Sequence, residues 1–244
     1  MPEGPSIVIA KEDLERFVGK KIVSASGVAP IDMKRLAGRK IKRIASWGKH
    51  LLFDFGKFSV RIHFLMFGKY LINSRRELKP RLSVKFASGD KLNIYTSDVR
   101  IIELPLDDVY DWNADIMAKR WNTRAVRRKL KEIPEVLIAD ALMDQELFPG
   151  LGNIIKNEVL YRAKVHPKNL TGNIPAKRID DIIKEVRKYA FEFLEQRKKG
   201  TLGKNWQVYT KKKCKRDGDR IYKEYVGVTK RRTFFCDSCQ KLYR

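Results

Sequence analysis

A chain of 244 residues in which 53 Lys and Arg face 29 Asp and Glu carries a formal charge of +24, a field that concentrates polyanions and hastens their encounter. With 43% hydrophobic residues it is globular and long enough for one large or two modest domains. No apolar run nears the ~20 residues of a bilayer crossing, and Lys11, Glu12, Asp13 and Glu15 stand where a signal peptide would be apolar, so no membrane partner and a soluble, intracellular, non-secreted protein are expected.

Nucleic acid is the leading partner, although charge alone does not separate an enzyme from a passive binder. The chain begins Met-Pro-Glu-Gly-Pro, and removal of Met1 would leave Pro2 as a free secondary amine beside the carboxylate of Glu3. An α-amino group titrates near ~8 where lysine titrates near ~10, so a useful fraction holds its lone pair at neutral pH without burial. Attack of such an amine on C1′ of a deoxyribose gives an iminium and divides glycosidic cleavage into two easier steps. Glu3 is then the nearby acid or base. The alternative reading is a proline that merely precedes a helix. Ile7, Ala10, Leu14 and Phe17/Val18 recur at helical spacing, which predicts a helix from about Pro5 to Val18. Its positive end, where Pro2 and Glu3 sit, attracts phosphate and disfavours protonation of a neighbouring amine.

Eight short segments with strand character follow, near 21–28, 40–47, 50–55, 58–64, 69–73, 81–86, 91–96 and 100–104. The clearest alternates Phe58, Val60, Ile62 and Phe64 with Ser59, Arg61 and His63, and Ala-Ser-Gly-Asp at 87–90 reads as a hairpin turn. Eight such strands predict a β-sandwich or barrel-like half. From Asp115 the pattern turns helical, with segments near 115–131, 135–143 and 153–163 and a long helix opened by Pro175 and ended near Gly200. The tail from Trp206 returns to strands around cysteines, and Lys211-Lys212-Lys213 is a short basic run.

Between two predicted helices lies Asp-Gln-Glu-Leu-Phe-Pro-Gly-Leu-Gly-Asn, residues 144–153. Gly150 and Gly152 would admit a close phosphate and Asn153 opens the next helix, a means of gripping a DNA backbone without reading bases. A connection that only packs two helices is the competing reading. All three cysteines lie in the last 31 residues. Cys214-Lys-Arg-Asp217 and Cys236-Asp-Ser-Cys239 flank a strand-turn-strand pattern, the arrangement of a tetrahedral zinc hairpin. Asp217 replaces one thiolate with a carboxylate, and a metal-free hairpin is the competing reading.

Taken in order, Pro2-Glu3-Gly4-Pro5, Trp47-Gly48-Lys49-His50-Leu51-Leu52, the stretch 144–167 and Arg231-Arg232-Thr-Phe-Phe-Cys-Asp-Ser-Cys-Gln240 resemble the formamidopyrimidine-DNA glycosylase and endonuclease VIII family of base-excision repair enzymes. Gly4 and the run Asn153 to Glu158 are similar to the endonuclease VIII-like branch. The resemblance implies an α+β fold: an N-terminal helix plus β-sandwich catalytic domain over 1–112, a helix-two-turn-helix DNA-binding domain over 113–205, and a C-terminal zinc-finger-like β-hairpin over 206–244. DNA would lie between the β-sandwich and helical domains. It implies Pro2 as Schiff-base nucleophile, Glu3 as the acid that helps open the sugar, and Lys49 as the third catalytic residue. It further implies Asn153 and Arg231 as phosphate clamps beside an everted nucleotide, with Arg232 left over, and Met66, flanked by Leu65 and Phe67, as the wedge filling the void. Read without the resemblance, Met66 is core packing. Zinc on Cys214, Asp217, Cys236 and Cys239 is the implied metal.

Two positions depart from the family pattern: Asp217, at a usual cysteine, and Ser6, at a usual glutamate. The segment Asp-Val-Arg-Ile-Ile at 98–102, read as a loop, lacks the Arg-Arg-Phe that one branch sets against the opposite base, which leaves opposite-base preference open. The expected function is a bifunctional glycosylase and AP lyase that removes oxidised bases, pyrimidines ahead of ring-opened purines, with β- then δ-elimination. The expected partner is damaged double-stranded DNA, with single-stranded DNA as the second candidate, bound by a monomer, in the bacterial cytoplasm and nucleoid or the eukaryotic nucleus. A non-catalytic nucleic-acid binder is the main rival; a tautomerase with an N-terminal proline base is the second, and those chains are short and need no +24 field.

Overall fold

The computed structural model describes residues 2–244; Met1, and with it the expected cleavage of that residue, lies outside them. The chain divides between Trp112 and Asn113 into two compact units.

The first unit opens with α1 (Gly4–Leu14), extended by a 3-10 turn, Glu15–Phe17. Eight strands follow: β1 (Ile22–Ser26), β2 (Arg43–Trp47), β3 (His50–Asp54), β4 (Ser59–His63), β5 (Lys69–Ile72), β6 (Leu82–Phe86), β7 (Lys91–Tyr95) and β8 (Asp98–Ile102), and a short α2 (Leu106–Val109) ends the unit. They form two antiparallel four-stranded sheets, ordered β1-β6-β7-β5 and β2-β3-β4-β8, so the expected β-sandwich is present. Period-two alternation puts Val60 and Ile62 inside with Ile7, Leu14, Phe17, Phe53, Phe86 and Ile94. The rings of Phe17 and Phe86 stack at 4.3 Å, fastening the end of α1 to the first sheet. α1 also packs on β2 and β3, the strands whose connecting turn carries Lys49.

Residues 98–102 are not a loop. They are β8, paired residue for residue with β4 from Ser59↔Ile102 to His63↔Asp98, and Asp98 at its start is held by Arg61 at 2.8 Å and Arg100 at 2.9 Å. The strand therefore begins two residues earlier than the hydrophobic pattern predicts, because an ion pair rather than an apolar side chain sets its first rung.

The second unit contains α3 (Thr123–Lys131), α4 (Ile138–Ala141), α5 (Asn153–Arg162), α6 (Ala176–Lys198), α7 (Leu202–Asn205), β9 (Tyr222–Val226) and β10 (Arg231–Phe235). The helix expected near 115–131 starts only at Thr123. Asn122 caps it by accepting the N–H of Ala125 at 3.0 Å, and upstream the Asp115 carboxylate accepts the N–H of Met117 at 2.8 Å, which favours a turn over helix. α6 lays Ile179, Ile182, Val186, Ala190 and Phe193 into the core at helical spacing. α5 is buried nearly all round: Lys156, Asn157 and Glu158 are at most 1% exposed, and the helix packs on α6 and β10. β9 and β10 pair antiparallel from Arg231↔Val226 to Phe235↔Tyr222.

Candidate active site and nucleic-acid interface

In the first unit Pro2 is half-buried and Glu3, with extended backbone (φ −117°, ψ 171°), is 1% exposed at the N-cap of α1. The Glu3 carbonyl accepts the N–H groups of Ser6 at 2.8 Å and Ile7 at 3.2 Å, so the first helical turn fixes the backbone on which Pro2 and Glu3 sit. Lys49 occupies the second position of the two-residue turn between Trp47 and His50, which pair across β2 and β3. Gly48, first in that turn, has φ +56°, a left-handed geometry that glycine adopts without a Cβ penalty and that suits a tight hairpin.

The sheet places Trp47, His50, His63 and Asp98 opposite one another on four consecutive strands, one face of a single rung. The rings of His50 and His63 meet edge to face at 5.6 Å, and His50 Nδ1 shares a hydrogen bond of 3.2 Å with the Tyr110 hydroxyl. This face is covered by a small apolar cluster of Ala45, Leu52, Leu106 and Tyr110, and burial is the main reason that the His50 pKa falls to about 4, with Arg61 and His63 adding repulsion. His63 is lowered by burial and then by Lys49 and Arg61. Both imidazoles are neutral at pH 7, and Lys49 and Arg61 are the cations beside them.

His63 leads into a loop that presents Leu65, Met66 and Phe67 at 44%, 47% and 73% exposure, while Phe64 before them is buried. Core packing of Met66 is thereby excluded. The loop turns tightly: Gly68 N–H bonds the Phe64 carbonyl at 2.8 Å, and a Cβ on Gly68 would stand 2.1 Å from that oxygen. Three contiguous exposed apolar side chains on a rigid turn are what a wedge between stacked bases requires.

In the second unit the stretch 144–153 is a turn stitched by Gln145, whose Nε2 donates to the carbonyls of Met143 and Leu151 and whose Oε1 accepts the N–H of Gly150. Gly150 has φ +96° and Gly152 is the N-cap of α5. Asn153 Nδ2 donates to the Arg232 carbonyl at 2.9 Å, which brings the start of α5 beside the strand that carries Arg231.

Lys156, Asn157 and Glu158 of α5 were not singled out as functional by sequence reasoning, and they hold the hairpin. Lys156 Nζ donates to Thr233 Oγ1 at 2.8 Å, Asn157 Oδ1 accepts the N–H of Phe234 at 2.6 Å, and the Glu158 carboxylate accepts the N–H groups of Gln207, Val208 and Tyr209 at 2.9–3.0 Å. From α4, Asp140 accepts the N–H groups of Val228 and Thr229 and the Thr229 hydroxyl. The available signal was a Lys-Asn-Glu triplet inside an otherwise apolar helix: buried charges persist only when paired.

Cys214, Asp217, Cys236 and Cys239 place one ligand atom each within 4.8 Å of one another, and the three cysteines are free thiols. Tetrahedral zinc with Zn–S near 2.3 Å sets thiolates about 3.8 Å apart; Cys214 Sγ and Cys239 Sγ are 3.7 Å apart, and Asp217 Oδ2 is 3.3 Å from Cys236 Sγ. The donors therefore fit a tetrahedral cation, and Asp217 stands in the fourth position. Arg216 donates to Cys239 Sγ at 2.8 Å and stacks over Tyr161 at 3.7 Å, a position from which it would offset the excess negative charge of three thiolates and a carboxylate around a bound cation.

Comparison with known proteins places these features. Residues 1–103 match the formamidopyrimidine-DNA glycosylase N-terminal domain and residues 113–203 the H2TH domain of the same family. The formamidopyrimidine-DNA glycosylase of Lactococcus lactis subsp. cremoris is 31% identical over 99% of this chain and 100% of its own. Endonuclease 8-like 3 of Xenopus laevis is 28% identical over 90% of this chain, and the chain spans 38% of that relative's length. Among solved structures, the Lactococcus lactis glycosylase bound non-covalently to DNA containing an AP site superposes with a TM-score of 0.86 at 28% identity, covering 98% of this chain and 99% of that one.

Proposed function

Because the chain belongs to the formamidopyrimidine-DNA glycosylase family, we propose that it is a bifunctional DNA glycosylase and AP lyase of base excision repair. The observation that carries this reading is the pairing of Pro2 with a buried Glu3 at the head of α1, on a helix packed against the two strands whose turn carries Lys49. With Met1 removed, the Pro2 nitrogen attacks C1′ of the damaged nucleoside, the C1′–N bond breaks, and the base leaves with a proton. Glu3 supplies a proton to the sugar-ring oxygen as the ring opens, leaving a Pro2 iminium. The iminium acidifies the C2′ hydrogen; its loss expels the 3′ phosphate in β-elimination, and a second elimination expels the 5′ phosphate. Lys49, a cation beside two neutral imidazoles, stabilises charge on the reacting sugar-phosphate.

Oxidised pyrimidines are the favoured lesions. The substrate is damaged DNA, double-stranded and also single-stranded, and the acting form is a monomer. Asn153 and Arg231 bind phosphates, the backbone at Gly150 and Gly152 approaches the strand, and Met66 enters the stack. Residues 206–244 are a zinc-finger-like hairpin in which Cys214, Asp217, Cys236 and Cys239 hold zinc as a structural ion. A non-catalytic binder would need neither a secondary amine nor a buried carboxylate beside it.

The test is to incubate Met1-processed protein with abasic-site DNA and borohydride and to map the cross-linked peptide by mass spectrometry. An adduct on Pro2 is expected. Tight DNA binding with no adduct would move the protein to the non-catalytic class.

A further inference from the structure

The hairpin has two faces, and the phosphate-clamp role takes only one. Along β10 side chains alternate, so Arg231 and Thr233 lie on one face and Arg232 and Phe234 on the other. The register puts Tyr225 directly across from Arg232 and Lys223 across from Phe234. Glu224, the acid of β9, lies on the Arg231 face and pairs with Lys168 at 2.7 Å, which leaves the opposite face without a strand-borne carboxylate.

On that opposite face the basic run at 211–213 folds back alongside residues 220–221. Lys213 bridges Arg220, and the N–H of Ile221 donates to the Lys212 carbonyl at 2.9 Å. The result is a cleft of about 520 Å³ whose charged lining is Lys211, Lys212, Arg220, Lys223 and Arg232, with no acidic residue among the lining residues. None of these five cations takes part in an ion pair with a described residue, whereas other surface cations do, as Lys168 does with Glu224 and Arg35 with Glu103. Five cations held together without counter-charges repel one another, a cost relieved when a polyanion enters. Tyr225, 67% exposed, stands on the same face beside Arg232 and buries little of its ring in the protein.

We propose that this cleft is a second nucleic-acid site, separate from the Arg231 face, which takes the phosphodiester backbone of a single-stranded segment while Tyr225 stacks on one of its bases. The cations would track the backbone, and an exposed ring beside them offers a sequence-tolerant platform that a base can reach only when it is unpaired. A duplex keeps its bases stacked on one another and would engage the cations alone. The proposal assigns Arg232, which the clamp leaves without a role, and the basic run at 211–213.

The experiment uses the full metal-loaded chain and an unmodified fluorescent oligothymidylate, titrated at several salt concentrations, with borohydride trapping on an abasic duplex run in parallel. Lys211→Ala/Lys212→Ala is expected to lower affinity and to flatten the plot of log affinity against log salt by about 1.4, two single-strand phosphates at ~0.7 each. Tyr225→Ala is expected to weaken binding about tenfold with the slope unchanged. Duplex trapping is expected to match wild type in both variants. An unchanged affinity and slope in the lysine variant would overturn the cleft; an unchanged affinity in Tyr225→Ala would overturn the single-strand assignment in favour of a duplex flank. Loss of trapping in the wild type would instead count against the lyase reading and leave the oligothymidylate result standing. Metal content and thermal midpoint, read on each variant, separate misfolding from loss of the site.

Discussion

A methyl group on Gly227 would stand 2.0 Å from Oδ2 of Asp140, the same oxygen that accepts the Val228 N–H at 3.0 Å. Gly227 also has φ +74°, so a side chain there is strained by the backbone and by the carboxylate together. The pair fixes the turn from which Arg231 emerges. Gly227→Ala is expected to cost about 1–3 kcal/mol, and Asp140→Ala a similar amount, because it strands the donors of Val228 and Thr229. Urea unfolding of the two single variants and the double variant checks this. Since both act on one turn, the double variant should cost less than the sum of the singles.

His50 makes stability depend on pH with a definite sign. Its folded pKa of about 4 lies below the ordinary value of 6.5, so between those values the unfolded chain binds a proton that the folded chain refuses, and stability falls as pH falls. The His50 contribution is fully present above pH 6.5 and is lost as pH drops toward 4, about 3 kcal/mol in all. His63, also lowered, acts in the same direction, and the Asp98 charge opposes both. Denaturant titrations of wild type and His50→Gln at pH 7 and pH 4.5 test it: the variant should lose less stability on acidification.

The sandwich was legible because its strands alternate cleanly. Phe58, Val60, Ile62 and Phe64 turn inward with no competing periodicity, and the long helix likewise declares its apolar stripe from Ile179 to Leu194. What escaped was set by side chains acting on backbone. Asp98 begins β8 through Arg61, and Asn122 delays α3 to Thr123; neither leaves a hydrophobic trace. In the candidate site Cys214, Asp217, Cys236 and Cys239 could be grouped by spacing alone. Asp140 could not, because its partners Val228 and Thr229 lie far along the chain and use backbone donors, which any residue type supplies.

Glu3 and Pro2 should separate chemistry from binding. Glu3→Gln keeps the size of the buried side chain but offers no acidic proton, so base release is expected to fall on the order of 10²–10⁴-fold while duplex affinity stays close to wild type. Pro2→Ala substitutes a primary amine and should lower release of the lesion base less severely. Single-turnover release from a duplex containing one oxidised pyrimidine, beside a binding isotherm for the same duplex, reads both effects. Wild-type release by Glu3→Gln would remove that carboxylate from the mechanism.

Asp217 is the position at which the cluster departs from four cysteines, and it stands exposed while Cys214 and Cys236 are buried. A carboxylate is a harder donor than a thiolate, so the present set should hold zinc less firmly than a four-thiolate site while keeping the same tetrahedral frame. Asp217→Cys is therefore expected to slow metal loss to a chelator, and Asp217→Ala, which leaves three protein ligands, to hasten it. Because a cation on the proposed site would tie the 214–217 turn to the 236–239 turn, metal loss should unfold the hairpin and weaken DNA binding. The first unit, with its own core around Phe17 and Phe86, should stay folded. Metal content after timed dialysis against chelator, read with the thermal midpoint, orders the three proteins; equal retention in Asp217→Ala and wild type would show that the carboxylate is not a ligand.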